Sequence, residues 1–241
     1  MKLRTLFILT QLSQAMACGG TAPAPALDDS SDEIIGGRRD ARHRAVGQLG
    51  TSDEGWFCTA ALIAPDVALT AAHCVFDLDG ARVPASSLIF GLDEEVLEVA
   101  SVSLNHYAPG TSAWNDLAVL ALRDASSVSP MPIAHSAPET GARLTVVGYG
   151  VTRATGAHTG TGGGTRRSTT VVLGELRTRE LAYSSELRGA CYGDSGGPIL
   201  ARLGGREVIV GVTSRGTAVD CAGLDIATRV DAYASWITRQ L

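Results

Sequence analysis

Short apolar runs, interrupted every few residues by Gly, Pro, Asp or Ser, set the rhythm of this chain and favour many short strands over long helices. Apolar segments at 59–64, 67–70, 88–90, 96–102 and 117–122 predict strands in the first half. Segments at 144–148, 169–173, 199–201, 208–212 and 226–230 predict strands in the second. Between them, 124–132 carries Ser126, Ser127, Ser129 and Pro130 and predicts a crossover. The glycine-rich stretch 156–164 predicts a flexible loop, because it lacks the strand and helix that flank a phosphate-binding loop. Only the last segment changes period: Tyr233, Trp236 and Ile237 fall at helical spacing and predict a terminal helix over 231–240. The pattern is that of an all-β protein.

The first 33 residues do not share that rhythm. Lys2 and Arg4 precede the apolar Leu6-Phe7-Ile8-Leu9, and Ala15-Met16-Ala17 offers an Ala-x-Ala cleavage site, so 1–17 predicts an export signal. Residues 18–33 are rich in Ala, Pro, Asp and Ser, too polar to bury a core, and predict a linker or pro-segment. No other segment is long and apolar enough to span a bilayer. The 241 residues suffice for a sizeable core in one or two domains. Four of the 25 acidic and two of the 20 basic residues precede Ile34, which leaves 21 against 18 and a net charge of −3. That is too mild to imply a charged partner. Arg38, Arg39, Arg42 and Arg44 read as a solvated stretch, and no nucleic-acid partner is expected.

An exported chain meets an oxidising compartment, so pairing among its five cysteines is expected. Cys18 directly follows the cleavage site, where it resembles the lipidated cysteine of bacterial lipoproteins and would tether the chain to a membrane. An unpaired thiol and a place within an uncleaved signal are the other readings. His43, His106, His135 and His158 show no metal-ligand spacing, and neither a metal nor a cofactor is expected.

Chemistry concentrates in three places. Thr70-Ala71-Ala72-His73-Cys74 sets a histidine beside a cysteine, Trp114-Asn115-Asp116-Leu117 sets an aspartate before a strand, and Gly193-Asp194-Ser195-Gly196-Gly197-Pro198 sets a serine between glycines. A serine hydroxyl is a weak nucleophile near neutral pH and needs a neighbouring base, which a histidine supplies. Ile34-Ile35-Gly36-Gly37, Gly148-Tyr149-Gly150, Thr213-Ser214-Arg215-Gly216 and Thr228-Arg229-Val230 followed by Ala234-Ser235-Trp236-Ile237 complete an ordered set. Together these resemble the chymotrypsin/trypsin family of serine endopeptidases in a secreted, bacterial-type form. Tyr149 and Arg215 stand where tryptophan is usual.

The resemblance implies two six-stranded antiparallel β-barrels, 34–125 and 126–241, with a short C-terminal helix and the active site in the cleft between them. It implies a triad of His73 as base, Asp116 as its orienting partner and Ser195 as nucleophile, with the backbone N–H groups of Gly193 and Ser195 as oxyanion hole. It pairs Cys58 with Cys74 and Cys191 with Cys221, and sets Ser214 against the triad aspartate. It also implies activation by a new amino terminus at Ile34 that pairs with Asp194, although Glu33 precedes Ile34 where Arg or Lys is usual. Gly189, Ala190, Ser214, Arg215 and Gly216 would line the specificity pocket. Gly189 brings no carboxylate to its floor, whereas Asp225 would bring one from the wall and favour cleavage after Arg or Lys with tolerance for large apolar residues. The expected protein is a secreted or envelope-tethered monomer acting on protein or peptide substrates; with Glu33 before Ile34, either another protease matures it or activation departs from the usual route. Three further readings stay open: a non-catalytic binding protein on the same fold, an esterase, and a protease of apolar specificity.

Overall fold

The strands follow one another as β1 (Arg38–Arg39), β2 (Val46–Thr51), β3 (Gly55–Ala64), β4 (Val67–Thr70), β5 (Leu88–Leu92), β6 (Glu95–Leu104), β7 (Ala118–Leu122) and β8 (Arg143–Gly148). They continue as β9 (Arg153–Gly156), β10 (Thr159–Thr161), β11 (Arg167–Val172), β12 (Glu175–Leu176), β13 (Glu180–Ser184), β14 (Pro198–Leu203), β15 (Arg206–Gly216) and β16 (Leu224–Arg229), and the chain ends in helix α1 (Ala234–Thr238). This computed structural model describes residues 34, 36–107, 109 and 114–241, all within one unit, Ser31–Leu241. The expected export signal, the linker, Cys18, Glu33 and Ile35 lie outside the described residues.

The first half closes into a six-stranded barrel in the order β2-β3-β4-β7-β6-β5. Strand β5 points Leu88, Phe90 and Leu92 inward at every second residue, as a strand with one buried face must. Strand β2 escapes a reading of apolar periodicity because Gly47 and Gly50 dilute it. A Cβ at Gly47 would stand 2.1 Å from the Gly91 carbonyl oxygen, and one at Gly50 2.1 Å from that of Gly55, so glycine is what lets these strands cross closely.

The second half differs from the expected closed barrel. Its strands form an eight-stranded antiparallel sheet in the order β1-β11-β8-β14-β15-β16-β13-β12. Two-residue β1 takes the free edge of β11 and two-residue β12 that of β13, so the edges a closed ring would join are already occupied. The expected flexible loop at 156–164 holds the turn and second strand of a hairpin of β9 and β10, which turns through His158 at φ 58°. The crossover carries no strand; Ser126 and Met131 donate backbone bonds to Pro65 and Leu62, which lead it along the barrel to the sheet. The terminal helix is shorter than the 231–240 expected. A 3-10 turn, Asp231–Tyr233, precedes it, and Arg239 and Gln240 bond three residues back, which tightens its last turn.

One core runs through the barrel from Leu49, Leu62 and Phe90 and continues into Leu200, Ile209 and Ile237 of the second half. A second, with Leu144, Leu181, Tyr183 and Val210, lies within the sheet. A polar clasp ties the start of the domain to the β14–β15 hairpin: His43, buried, sets Nδ1 2.5 Å from Asp40 Oδ2 and Nε2 3.1 Å from Glu207 Oε2. Burial pushes the His43 pKa down, but the Asp40 and Glu207 carboxylates outweigh it and raise the value above 6.5. Its stabilisation is therefore full below 6.5 and lost as pH climbs through the raised value. Thermal melts of His43→Gln should show a deficit at acidic pH that narrows in alkali; a deficit independent of pH would contradict this.

Candidate active site

The sequence places His73 where β4 gives way to a 3-10 turn, Ala72–Val75. Its ring Nδ1 lies 2.8 Å from Asp116 Oδ2, and its backbone N–H donates to Asp116 Oδ1 at 2.9 Å. Asp116 is buried just ahead of β7 and also accepts the Ser214 hydroxyl at 2.6 Å, while its carbonyl accepts the Thr228 hydroxyl at 2.9 Å. Burial pushes this carboxyl up, but bonds from the His73 ring and Ser214 outweigh it and hold the pKa below the usual value. The ring is thus held with one nitrogen on a carboxylate and the other, Nε2, turned away from it. A disulfide from Cys74 to Cys58 fixes the turn; closing 16 residues, such a bridge stabilises by about 3 kcal/mol. Cys58, His73 and Cys74 lie within 4.8 Å of one another, but both sulfurs are tied up in the bridge, leaving a metal only the imidazole.

Ser195 sits in a turn that glycine makes possible. Gly193 has φ 94° and Gly196 φ 83°, both in the left-handed region, and a Cβ at Gly196 would stand 2.1 Å from Thr70 Oγ1. The turn is anchored to the barrel by the Thr59 N–H on the Ser195 carbonyl, 2.8 Å, and the Thr59 hydroxyl on the Gly193 carbonyl, 2.8 Å. Among the described residues no hydrogen bond joins Ser195 to His73, whose Nε2 has Cys74 Sγ at 3.7 Å. Such bonds are commonly long in unliganded sites and tighten when substrate binds. Asp194, fully buried, accepts the Gly150 N–H at 2.7 Å and the Cys191 N–H at 2.9 Å. Gly148 and Gly150 make room for it: a Cβ on either would fall within 2.5 Å of its carboxylate. Burial pushes Asp194 up to about 7, with Asp225 adding to the rise and the two amides opposing it.

The pocket residues also assemble. Asp225 is buried and accepts the Ala190 N–H at 2.8 Å. A Cβ at Gly189 would lie 2.6 Å from Asp225 Oδ2, and one at Gly216 3.3 Å from Oδ1, so the carboxylate stands between the two glycines. Burial raises its pKa to about 6 against the pull of the Ala190 amide. Arg215 Nη2 lies 2.6 Å from Glu180 Oε1. A disulfide between Cys191 and Cys221 closes the wall.

A family model described as Trypsin matches residues 34–237. The chain belongs to the trypsin family. Relatives include Hypodermin-B of Hypoderma lineatum, 25% identical over 96% of each chain, and Trypsin beta of Drosophila erecta, 29% identical over 87% of this chain and 88% of its own. Glucanase inhibitor protein 1 of Phytophthora sojae is 30% identical over 95% of this chain and 97% of its own. Among solved structures, human heparin binding protein superposes with a TM-score of 0.70 at 26% identity, covering 86% of this chain and 96% of its own.

Within this trypsin-family domain some supporting residues carry no sequence signal. Thr59 bridges Ser195, Gly193 and, through its accepting oxygen, the Tyr149 N–H at 3.2 Å, yet it lies in an ordinary strand pattern. Asn115 takes φ 62° and is held by the Tyr233 hydroxyl at 2.6 Å and Arg179 at 3.0 Å, which fixes the backbone entering Asp116.

Proposed function

We propose that the chain is a serine endopeptidase, secreted or tethered to the envelope through Cys18, that hydrolyses protein or peptide substrates after Arg or Lys and tolerates large apolar residues. The bond from His73 Nδ1 to buried Asp116 carries the reading, because it leaves Nε2 to serve Ser195. In the reaction Ser195 Oγ attacks the scissile carbonyl while His73 Nε2 takes its proton. The Gly193 and Ser195 N–H groups receive the oxyanion, and His73 returns the proton to the leaving amine. Water then repeats the sequence on the acyl-enzyme. Asp116 keeps the imidazole tautomer and stabilises the imidazolium. Export rests on residues 1–17, and maturation on a cut between Glu33 and Ile34 by another protease.

Similarity to proteins named for glucanase inhibition and heparin binding favours one other reading, a binding protein on the same fold. A serine-directed fluorophosphonate separates the two: the matured protein should be labelled at Ser195, and an unlabelled protein would leave the binding reading.

Asp225 tests the specificity. Removing the buried partner of a substrate cation, Asp225→Gly should lower kcat/KM for Arg-ending substrates by about 100-fold while sparing Phe- and Leu-ending ones. Its pKa of about 6 adds a second signature. Only the ionised form holds a cation, so the ratio of Arg to Leu cleavage should rise with pH through about 6 and then level off. The ratio cancels what both substrates share. Unchanged Arg cleavage by the variant would remove Asp225 from the specificity.

A further inference from the structure

Gly148-Tyr149-Gly150 offers one side chain between two glycines, and its backbone lies against the catalytic turn at every residue. The glycines face the Asp194 carboxylate, which accepts the Gly150 N–H. The Tyr149 N–H donates to the Thr59 hydroxyl oxygen at 3.2 Å, and that hydroxyl donates to the Gly193 carbonyl. The next residue, Val151, donates its N–H to the Tyr192 carbonyl at 2.8 Å. A Cβ at Gly193 would stand 3.0 Å from Gly150 Cα. The oxyanion donors are therefore set against the 148–151 backbone, and Tyr149 is the side chain by which that backbone is gripped.

A tryptophan, usual at this position, has a ring N–H that only donates; a phenol also accepts. The Tyr149 hydroxyl uses both capacities. It donates to the Val46 carbonyl of β2 at 3.2 Å and accepts Arg166 Nη1 at 3.1 Å. Arg166 precedes β11, and its side chain is only 9% exposed. Its Nη1 also lies 2.8 Å from Asp93 Oδ1, between β5 and β6, and 3.2 Å from the Val46 carbonyl. Its Nε donates to the Asp40 carbonyl at 3.0 Å, and the Asp40 N–H returns a bond to the Arg166 carbonyl at 2.9 Å. A planar guanidinium suits such a junction, because its donors leave in fixed directions. One side chain thus joins the segment that follows Ile34, the barrel and the phenol beside the catalytic turn.

We propose that Arg166 is a positioning residue for the oxyanion hole, acting through the Tyr149 hydroxyl. It holds the 148–151 backbone where Gly193 and Asp194 must meet it, and it ties that backbone to the segment starting at Ile34 by a route separate from the Asp194 pair. The role rests on the peptidase reading.

The test uses the matured protein and an Arg-ending peptide amide. Tyr149→Phe removes one oxygen and keeps the ring. It should lower kcat by about tenfold with KM within about twofold, since the donors act on the transition state more than on bound substrate. Arg166→Met should do the same, with Asp93 still held by Arg44 at 2.8 Å. The double variant should lose no more than the worse single one, because both break the same bond. A merely structural role would not move the alkaline limb of the rate profile, set by the Ile34 amine. A loosened turn favours the inactive arrangement, so the midpoint of that limb should move to lower pH. Tyr149→Phe changes no charge, and the loss of a cation in Arg166→Met would by itself move the limb the other way. Asp225 and Arg167, the other charges acting on Asp194, stay in place. Parental kcat in Tyr149→Phe, independent losses in the double variant or an unmoved limb would overturn the role. So would a lowered melting temperature with kcat per folded molecule unchanged. Should Arg166→Met not fold, Tyr149→Phe decides alone. If the parent itself leaves the amide uncut, the peptidase reading falls and takes this one with it; an active parent with indifferent variants removes only the positioning role.

Discussion

Ser195→Ala is expected to remove peptide hydrolysis, with turnover falling by about 10⁶-fold. The size follows from what remains. His73 would still be held by Asp116 and Asp116 by Ser214, but there would be no oxygen to carry the acyl group, and residual rate would come from the oxyanion donors and binding alone. The fold should not notice. Ser195 is anchored through its backbone, the carbonyl to Thr59 and the following Gly196 N–H to Thr213, whereas its hydroxyl holds nothing among the described residues. A stability change within about 0.5 kcal/mol is expected. Unchanged melting with activity lost supports the nucleophile assignment; peptidase activity retained in a preparation free of parent protein overturns it.

Cutting the bond between Glu33 and Ile34 should have the second largest effect, turning an inactive chain active and reversing a pH dependence of stability. In the uncut chain Asp194 is buried with two amides but no cationic group bonded to it among the described residues. Its folded pKa of about 7 exceeds the ordinary 3.8. Below 3.8 both folded and unfolded forms are protonated; above it only the unfolded chain gives up its proton, so stability falls until about pH 7. The full loss is on the order of 4 kcal/mol. Ile34 is itself fully buried, so a cut before it creates an ammonium group on an interior residue. Paired with Asp194, that charge offsets the loss and draws the carboxyl back down. The pairing needs a protonated amine, whose ordinary pKa of about 7.7–8.0 the carboxylate raises. The benefit is complete below that range as long as Asp194 is ionised, and disappears as pH climbs through the raised value. Melting curves of uncut and cut chains across pH should diverge most near neutrality, and Asp194→Asn should flatten the uncut profile. Full activity from a chain still carrying Glu33, or identical profiles before and after the cut, would refute this.

Much of this molecule could be read from its residues, and the failures have causes. Strands whose apolar residues face a core, such as 88–92 and 118–122, announce themselves, because burial of one face imposes a period. Strand β2 does not, since the close crossing that positions it demands Gly47 and Gly50. Strand β13 hides differently. Its Glu180 is buried against Arg215, so a charge sits where a pattern reader expects apolar side chains. Candidate site residues could be named where chemistry restricts residue type: His73, Asp116 and the glycines around Ser195. They could not where a common residue does an uncommon thing, as Thr59 does. Whether Asp225 faces Gly189 depends on register, and the pairing of Gly216 with Asp225 across β15 and β16 supplies what spacing alone left open.

Asp116 precedes a barrel strand, yet its partners Ser214 and Thr228 belong to the sheet, and Tyr233, which grips Asn115, leads into the last helix. Neither disulfide crosses from one half to the other. Turnover is thus a gauge of docking. A variant whose halves keep their bridges but meet askew would lose catalysis well before it lost its fold.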